Sequence, residues 1–166
     1  MMTIKRICFP EANMAILVED ELDDQLGPRD VLLKSQFSIV SAGTEGAAYT
    51  GLRNEMPFYA PDPEHAYPSH PGYANLGEVV AMGSEVAGFA IGDRVLNFER
   101  HSSMVKVGTN GFALHVPEEL PGEHAVFARM GGVGISALRA SSVQAGDQVV
   151  VIGLGLVGNM AAQFMQ

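Results

Sequence analysis

The last eighteen residues of the chain contain a glycine pattern typical of dinucleotide binding. Four apolar residues, Val149–Ile152, predict a strand buried in a parallel sheet, and the spacing Gly-x-Gly-x-x-Gly follows directly. Such glycines permit a tight turn, a close backbone approach to a pyrophosphate and close packing of the next helix, whose N–H groups face the anion. The pattern predicts a cofactor site at Gly153, Leu154, Gly155, Leu156, Val157 and Gly158. A plain glycine-rich turn is the alternative.

This cofactor site is only begun in the sequence. A complete βαβ unit needs two strands and roughly 30 residues, whereas eight residues follow Gly158. The position about 20 residues later, at which an acidic residue would hold the ribose, is therefore not covered by this sequence. We expect the chain to be a fragment of a longer enzyme and to be inactive alone.

Upstream of this site, short strands separated by turns predict an antiparallel β domain. The segment 41–51 predicts a short helix or a tight turn, Arg53–Pro71 a long loop that is a candidate lid, and Gly122–Ser142 a helix. We therefore divide the chain into a β domain, 1–121, and the start of a second domain, 122–166. The predicted strands are Ile4–Phe9, Met14–Glu19, Val31–Val40, Leu76–Met82, Arg94–Phe98, and a hairpin of Ser103–Val107 with Phe112–Val116.

The composition excludes several classes of partner. A net charge of −9 argues against binding to nucleic acid or to an anionic membrane surface. The single cysteine, Cys8, forms no internal disulfide and no multi-cysteine zinc site, and it suits a reducing cytoplasm. No run approaches about 18 apolar residues, the length of a membrane span. We expect a cytoplasmic protein that acts on a small molecule.

Two stretches carry a resemblance to a known family: HPGYANLGEVVAMGSEVAGFAIGDRV (His70–Val95) and VQAGDQVVVIGLGLVG (Val143–Gly158). On these the chain resembles the medium-chain dehydrogenase/reductase superfamily, alcohol-dehydrogenase-like enzymes with an N-terminal GroES-like barrel and a Rossmann domain. The resemblance implies a mainly β GroES-like barrel, followed by the first helix–strand–helix of a truncated α/β Rossmann domain. It also implies NAD or NADP as cofactor, with hydride transfer between the nicotinamide and a carbonyl, a hydroxyl or an activated alkene.

The zinc ligands of that family are missing here. Ala42 stands where zinc-dependent members have a cysteine, Tyr73-Ala74 where they have His-Glu, and Met130–Gly132 offers no thiolate or imidazole. Because catalytic zinc needs about three N, S or O side-chain donors, we expect no zinc. A metal held by Glu45, His65 and His70 is the remaining alternative. Loop or surface positions are otherwise expected for the five histidines, which are His65, His70, His101, His115 and His124.

Without zinc, the substrate oxygen needs hydrogen-bond or proton donors. The resemblance places Thr44 where a hydroxyl relays a proton between the substrate and the cofactor ribose, although Thr44 is equally suited to cap a helix. Tyr73 is a candidate phenol donor or simply a half-buried aromatic residue. Glu45 is a candidate base, and it also suits the first turn of a helix.

A function of another class competes with the enzyme. A stand-alone GroES-like module would bind a partner or oligomerise without catalysis, and it would have no use for the glycine turn. The apolar strand Val149–Ile152, without neighbouring strands in the chain, predicts a sticky edge. We expect a homo-oligomer in either case.

Overall fold

The computed structural model describes residues 1–52 and 66–166 in two compact units, Met1–Val126 and Phe127–Gln166. Two antiparallel sheets form the first unit. β1 pairs with β2, and the other five strands follow the order β6-β3-β4-β5-β7, which confirms the predicted antiparallel β domain. The strands are β1 (Met2–Cys8), β2 (Ile16–Leu22), β3 (Asp30–Ile39), β4 (Ala74–Met82), β5 (Arg94–Asn97), β6 (Met104–Gly108) and β7 (Ala113–His115).

The predicted hairpin between the sixth and seventh strands is wrong. β6 pairs with β3 and β7 pairs with β5, so the two strands lie on opposite edges of the sheet. The turn does close locally, since the N–H of Gly111 donates to the carbonyl of Gly108 at 2.9 Å. Burial of Val105 and Val107 against β3 outweighs this local signal, because side-chain burial contributes more than one tight turn.

The core of the larger sheet consists of alternating residues from adjacent strands. Leu33 in β3 is opposite Val79 in β4 and Val105 in β6, and all three are buried. Because side chains alternate between the two faces of a strand, the neighbouring Val80 is 39% exposed. The cluster comprises Val31, Leu33, Val79, Val95, Val105 and Val107.

We expect Val79→Ala to lower the free energy of unfolding by about 2 kcal/mol, through lost apolar burial and the cavity that remains. Val80→Ala removes the same atoms from the other face of β4 and should cost less than about 1 kcal/mol. Urea unfolding of the two variants measures the difference. Equal losses would contradict the one-sided core.

Four helices complete the described chain: α1 (Ala42–Thr50), α2 (Gly122–Ala125), α3 (Ala128–Ala140) and α4 (Leu156–Phe164). They confirm helical structure at 41–51 and within Gly122–Ser142. α1 follows β3 directly and ends at Gly51, whose φ of 79° is the left-handed conformation favoured by glycine. The predicted lid loop, Arg53–Pro71, lies largely outside the described residues. None of the described helices has the length and apolar character needed to cross a membrane.

The predicted strand Val149–Ile152 forms no β-ladder. No strand is found in residues 127–166, so this segment has nothing to pair with in its own unit. Val150 is 84% exposed and Ile152 95% exposed. The run is apolar enough for a buried strand, but a strand also requires a hydrogen-bonded neighbouring strand.

Candidate functional site

A cavity of about 510 Å³ lies in the first unit, between β1, the end of β3 and the first turn of α1. Among the described residues, Ser38 and Glu45 contribute polar groups to its wall, as does His101, which lies between β5 and β6. The rest of the wall formed by described residues is largely apolar and includes Ile7, Phe9, Val40, Ala42, Tyr49 and Pro71. An apolar pocket with a few convergent polar groups is the usual form of a small-molecule site.

Glu45 is a buried acid with both carboxylate oxygens occupied. Oε1 accepts the backbone N–H of Ser41, the N-cap residue of α1, at 2.7 Å. Oε2 lies 2.7 Å from Nε2 of His101, and the two side chains are only 8% and 10% exposed. Burial of a carboxylate is tolerated because such partners replace its water.

The imidazole of His101 is fixed from several sides. Its Nδ1 lies 2.8 Å from Oγ of Ser38, opposite the contact with Glu45. The backbone N–H of His101 donates to the carbonyl of Pro71 at 3.0 Å, and its carbonyl accepts the N–H of Ile7 at 3.1 Å. Side-chain and backbone contacts to three segments that are distant in sequence thus hold His101 in place. The result is a continuous chain of polar groups from Ser38 through His101 to Glu45.

The three predicted catalytic residues differ in whether they line this cavity. Glu45 lines the cavity, whereas neither Thr44 nor Tyr73 belongs to the wall formed by described residues. Thr44 is an exposed residue inside α1, and its Oγ1 accepts the hydroxyl of Ser41 at 3.2 Å. The residue at the N-cap position is Ser41, so the capping alternative for Thr44 is wrong. Tyr73 is half-buried immediately before β4.

The sequence analysis missed His101 and Ser38. A loop or surface position was expected for each histidine, and His101 does lie in a loop, between β5 and β6, but its side chain is largely enclosed against Glu45. His70 instead places Nδ1 3.2 Å from the carbonyl of Ile7. His65 lies outside the described residues, and within the described ones no group of three His, Cys, Asp or Glu side chains could hold a metal.

The glycine turn has the backbone geometry that its spacing requires. Gly153 has a φ of 92°, and Gly155, in an extended conformation, is the N-cap residue of α4. A Cβ on Gly158 would lie 1.9 Å from the carbonyl oxygen of Gly153, so only glycine fits there. A Cβ on Gly153 or Gly155 would meet nothing within 4 Å. This open turn at a helix start suits a pyrophosphate, and the assignment of residues 153–158 to the cofactor stays a prediction.

Burial raises the pKa of the Glu99 carboxyl above its usual 4.5, while Arg100 acts in the opposite direction. A raised pKa means that the folded protein holds the proton more tightly than the unfolded chain. Ionised Glu99 therefore destabilises the fold above its folded-state pKa, and this cost vanishes below 4.5. We expect Glu99→Gln to raise Tm at pH 7 and to give no gain below pH 4.5. Thermal unfolding across this range, with the exposed Glu119→Gln as control, tests the sign.

A family model, the alcohol dehydrogenase GroES-like domain, matches residues 27–134. This match confirms the GroES-like fold and the superfamily that the two sequence stretches indicate. D-guloside 3-dehydrogenase of Shigella flexneri is 26% identical over an alignment of 176 residues. The alignment covers 96% of this chain and 50% of that protein.

Two further similarities are shorter or more distant. 2-Desacetyl-2-hydroxyethyl bacteriochlorophyllide A dehydrogenase of Cereibacter sphaeroides is 43% identical over 68 residues, covering 41% of this chain and 19% of that protein. The structure of a short chain alcohol dehydrogenase from E. coli CFT073, complexed with NADH, has a TM-score of 0.79 at 18% identity, covering 98% of this chain and 53% of that one. Where nearly the whole of this chain is matched, it spans only about half the length of the relative.

Proposed function

Because the chain belongs to the alcohol dehydrogenase GroES-like domain family, we propose that it is part of an NAD(P)-dependent oxidoreductase that works without catalytic zinc. Hydride would pass between the nicotinamide and a carbonyl, a hydroxyl or an activated alkene. The observation that carries this proposal is the cavity beside α1, in which a substrate oxygen could reach the Ser38 hydroxyl, with the His101–Glu45 pair directly behind it.

The donor set argues against zinc. Ala42 lies in the cavity wall and has no ligating atom, and Tyr73 replaces the histidine that zinc-dependent members use. The imidazole in the cavity wall, that of His101, has both nitrogens occupied by Glu45 and Ser38. Three donors with an open fourth position, which catalytic zinc requires, are not assembled among the described residues. The described residues therefore do not fit a catalytic zinc ion.

The nicotinamide cofactor, NAD or NADP, would supply the hydride chemistry. In this chain the turn Gly153–Gly158 would hold the pyrophosphate through backbone N–H groups at the start of α4. The strongly exposed Val150 and Ile152 support the addition of neighbouring strands by the remainder of a Rossmann domain. Adenine and ribose contacts would come from that remainder.

The cavity walls favour a substrate with an apolar carbon skeleton. Phe9, Val40 and Tyr49 offer it packing surface, while the polar groups are confined to one side. Glu45 would act there through His101, and Thr44 and Tyr73 remain candidate donors. We place the enzyme in the cytoplasm, as a homo-oligomer acting on small molecules.

The test uses the natural gene product that carries this sequence, treated with a chelator and checked by elemental analysis. We expect oxidation of NADH or NADPH with benzaldehyde, cyclohexanone or 2-butanone, without stoichiometric metal. Turnover that requires added zinc would refute the metal-free mechanism. Absence of turnover with every substrate, together with self-association through residues 149–152, would favour the binding module.

A further inference from the structure

We propose that Ser38 exchanges the proton with the substrate oxygen, and that His101 and Glu45 form the relay behind it. This rests on the proposed function and names the proton donor of the same cavity. Ser38 is exposed at the cavity wall, whereas His101 and Glu45 are largely enclosed. The serine hydroxyl is therefore the member of the chain that a bound substrate can touch.

The hydrogen-bond order determines the direction of the relay. Nε2 of His101 lies 2.7 Å from a carboxylate oxygen of Glu45, which only accepts hydrogen bonds when ionised, so Nε2 carries a proton. Nδ1, 2.8 Å from Oγ of Ser38, is then the nitrogen that gains or loses one. Neutral Nδ1 accepts the serine O–H, and protonated Nδ1 donates to Oγ. Glu45 keeps the ring oriented and faces the charge that the ring acquires.

The proton and hydride transfers balance in both directions. In reduction, hydride reaches the carbonyl carbon, the substrate oxygen takes the Ser38 proton, and Oγ takes the proton of His101 Nδ1. The products are an alcohol, oxidised nicotinamide and neutral His101. In oxidation, the alcohol proton passes to Oγ, the proton of Ser38 passes to neutral Nδ1, and hydride leaves the carbon for the nicotinamide.

A second hollow gives the relay access to solvent. It measures about 220 Å³, and Ser38 and His101 line it as well as the main cavity. Lys5, Ser102 and Ser103 also belong to its wall. Water in this hollow can exchange a proton with the Ser38 hydroxyl, and through it with Nδ1 of His101, which a relay needs between turnovers.

Paired variants of Ser38 in the natural gene product provide the test, assayed with benzaldehyde, cyclohexanone and 2-butanone and either nicotinamide cofactor. Ser38→Ala should lower kcat by about 100-fold or more, while the KM for the cofactor changes less than about threefold. Ser38→Thr retains a hydroxyl on an exposed strand position and should keep most of the activity. Ser136→Ala, whose hydroxyl bonds the carbonyl of Gly132 in α3, is the matched control.

His101 and Glu45 are tested as relay residues by rescue. His101→Ala should lose a similar factor in kcat and recover part of it with added imidazole, whereas Glu45→Asp should retain more activity than Glu45→Gln. His115→Ala, which removes an exposed histidine beside Asp93, should change nothing. If Ser38→Ala keeps the turnover rate of the wild type, the relay is overturned and the proposed function still stands. No wild-type turnover with any substrate would overturn the relay and the proposed function together.

Discussion

Gly72→Ala should be among the most damaging single substitutions in the first unit, lowering the free energy of unfolding by about 4 kcal/mol. A Cβ at this position would lie 2.2 Å from Cα of Arg100 and 2.6 Å from the backbone nitrogen of His101. Both contacts are with backbone, so no rotamer change relieves them. The φ of 156° adds strain for any residue with a side chain.

Gly88→Ala is the control that isolates the backbone conformation. Gly88 has a φ of 83°, and its added Cβ would meet nothing within 4 Å. This variant should lose only about 1–2 kcal/mol, the cost of a left-handed conformation alone. Urea unfolding monitored by circular dichroism gives both values. A loss for Gly72→Ala no larger than that for Gly88→Ala would disprove the close approach.

The close approach at Gly72 also has a functional consequence. The carbonyl of the preceding Pro71 accepts the N–H of His101, so the displaced segment would carry the imidazole with it. We expect any folded fraction of Gly72→Ala to show a displaced His101 ring. The glycine is thus needed to position the site as well as to allow the chain to pass.

Local patterns predicted much of this fold because many of its strands are short runs bounded by turn residues. Val31–Val40 and Leu76–Met82 were expected as strands, and β3 and β4 occupy nearly the same residues. Pairing was harder to predict, as the separation of β6 and β7 shows, because the partner of a strand is chosen by burial over long sequence distances. Val149–Ile152 shows a related limit, since an apolar run specifies a strand only when a neighbour is present.

The candidate site was predicted only in part for the same reason. Glu45 was expected from its place beside Thr44 at a helix start, a local signal. His101 is 56 residues away in sequence, and Ser38 belongs to an ordinary strand. No spacing rule links these three residues, because the tertiary fold brings β3, α1 and the loop before β6 together. The sequence offered one signal for His101, which is that a histidine follows shortly after the turn and strand at Gly92–Asn97.

A double-mutant cycle on Glu45 and His101 should reveal a coupling free energy of about 3 kcal/mol in favour of the pair. Glu45→Ala leaves the N–H of Ser41 and Nε2 of His101 without their carboxylate partner in a largely enclosed place. His101→Ala leaves Oε2 of the largely enclosed carboxylate without its imidazole partner. The double variant removes both groups, so its loss should be smaller than the sum of the single losses.

The exposed pair His115–Asp93 is the matched control, because it joins the same two functional groups at 3.6 Å on the surface of the same unit. The imidazole side chain is 50% exposed there and 10% exposed at His101. Water and salt screen the exposed pair, so its coupling should stay below about 1 kcal/mol and fall further in high salt. Double-mutant cycles measured by urea unfolding at pH 7 give the coupling free energies of both pairs. Equal coupling in the two pairs would mean that enclosure does not strengthen the Glu45–His101 contact, and the carboxylate would then have little hold on the ring that the relay needs in place.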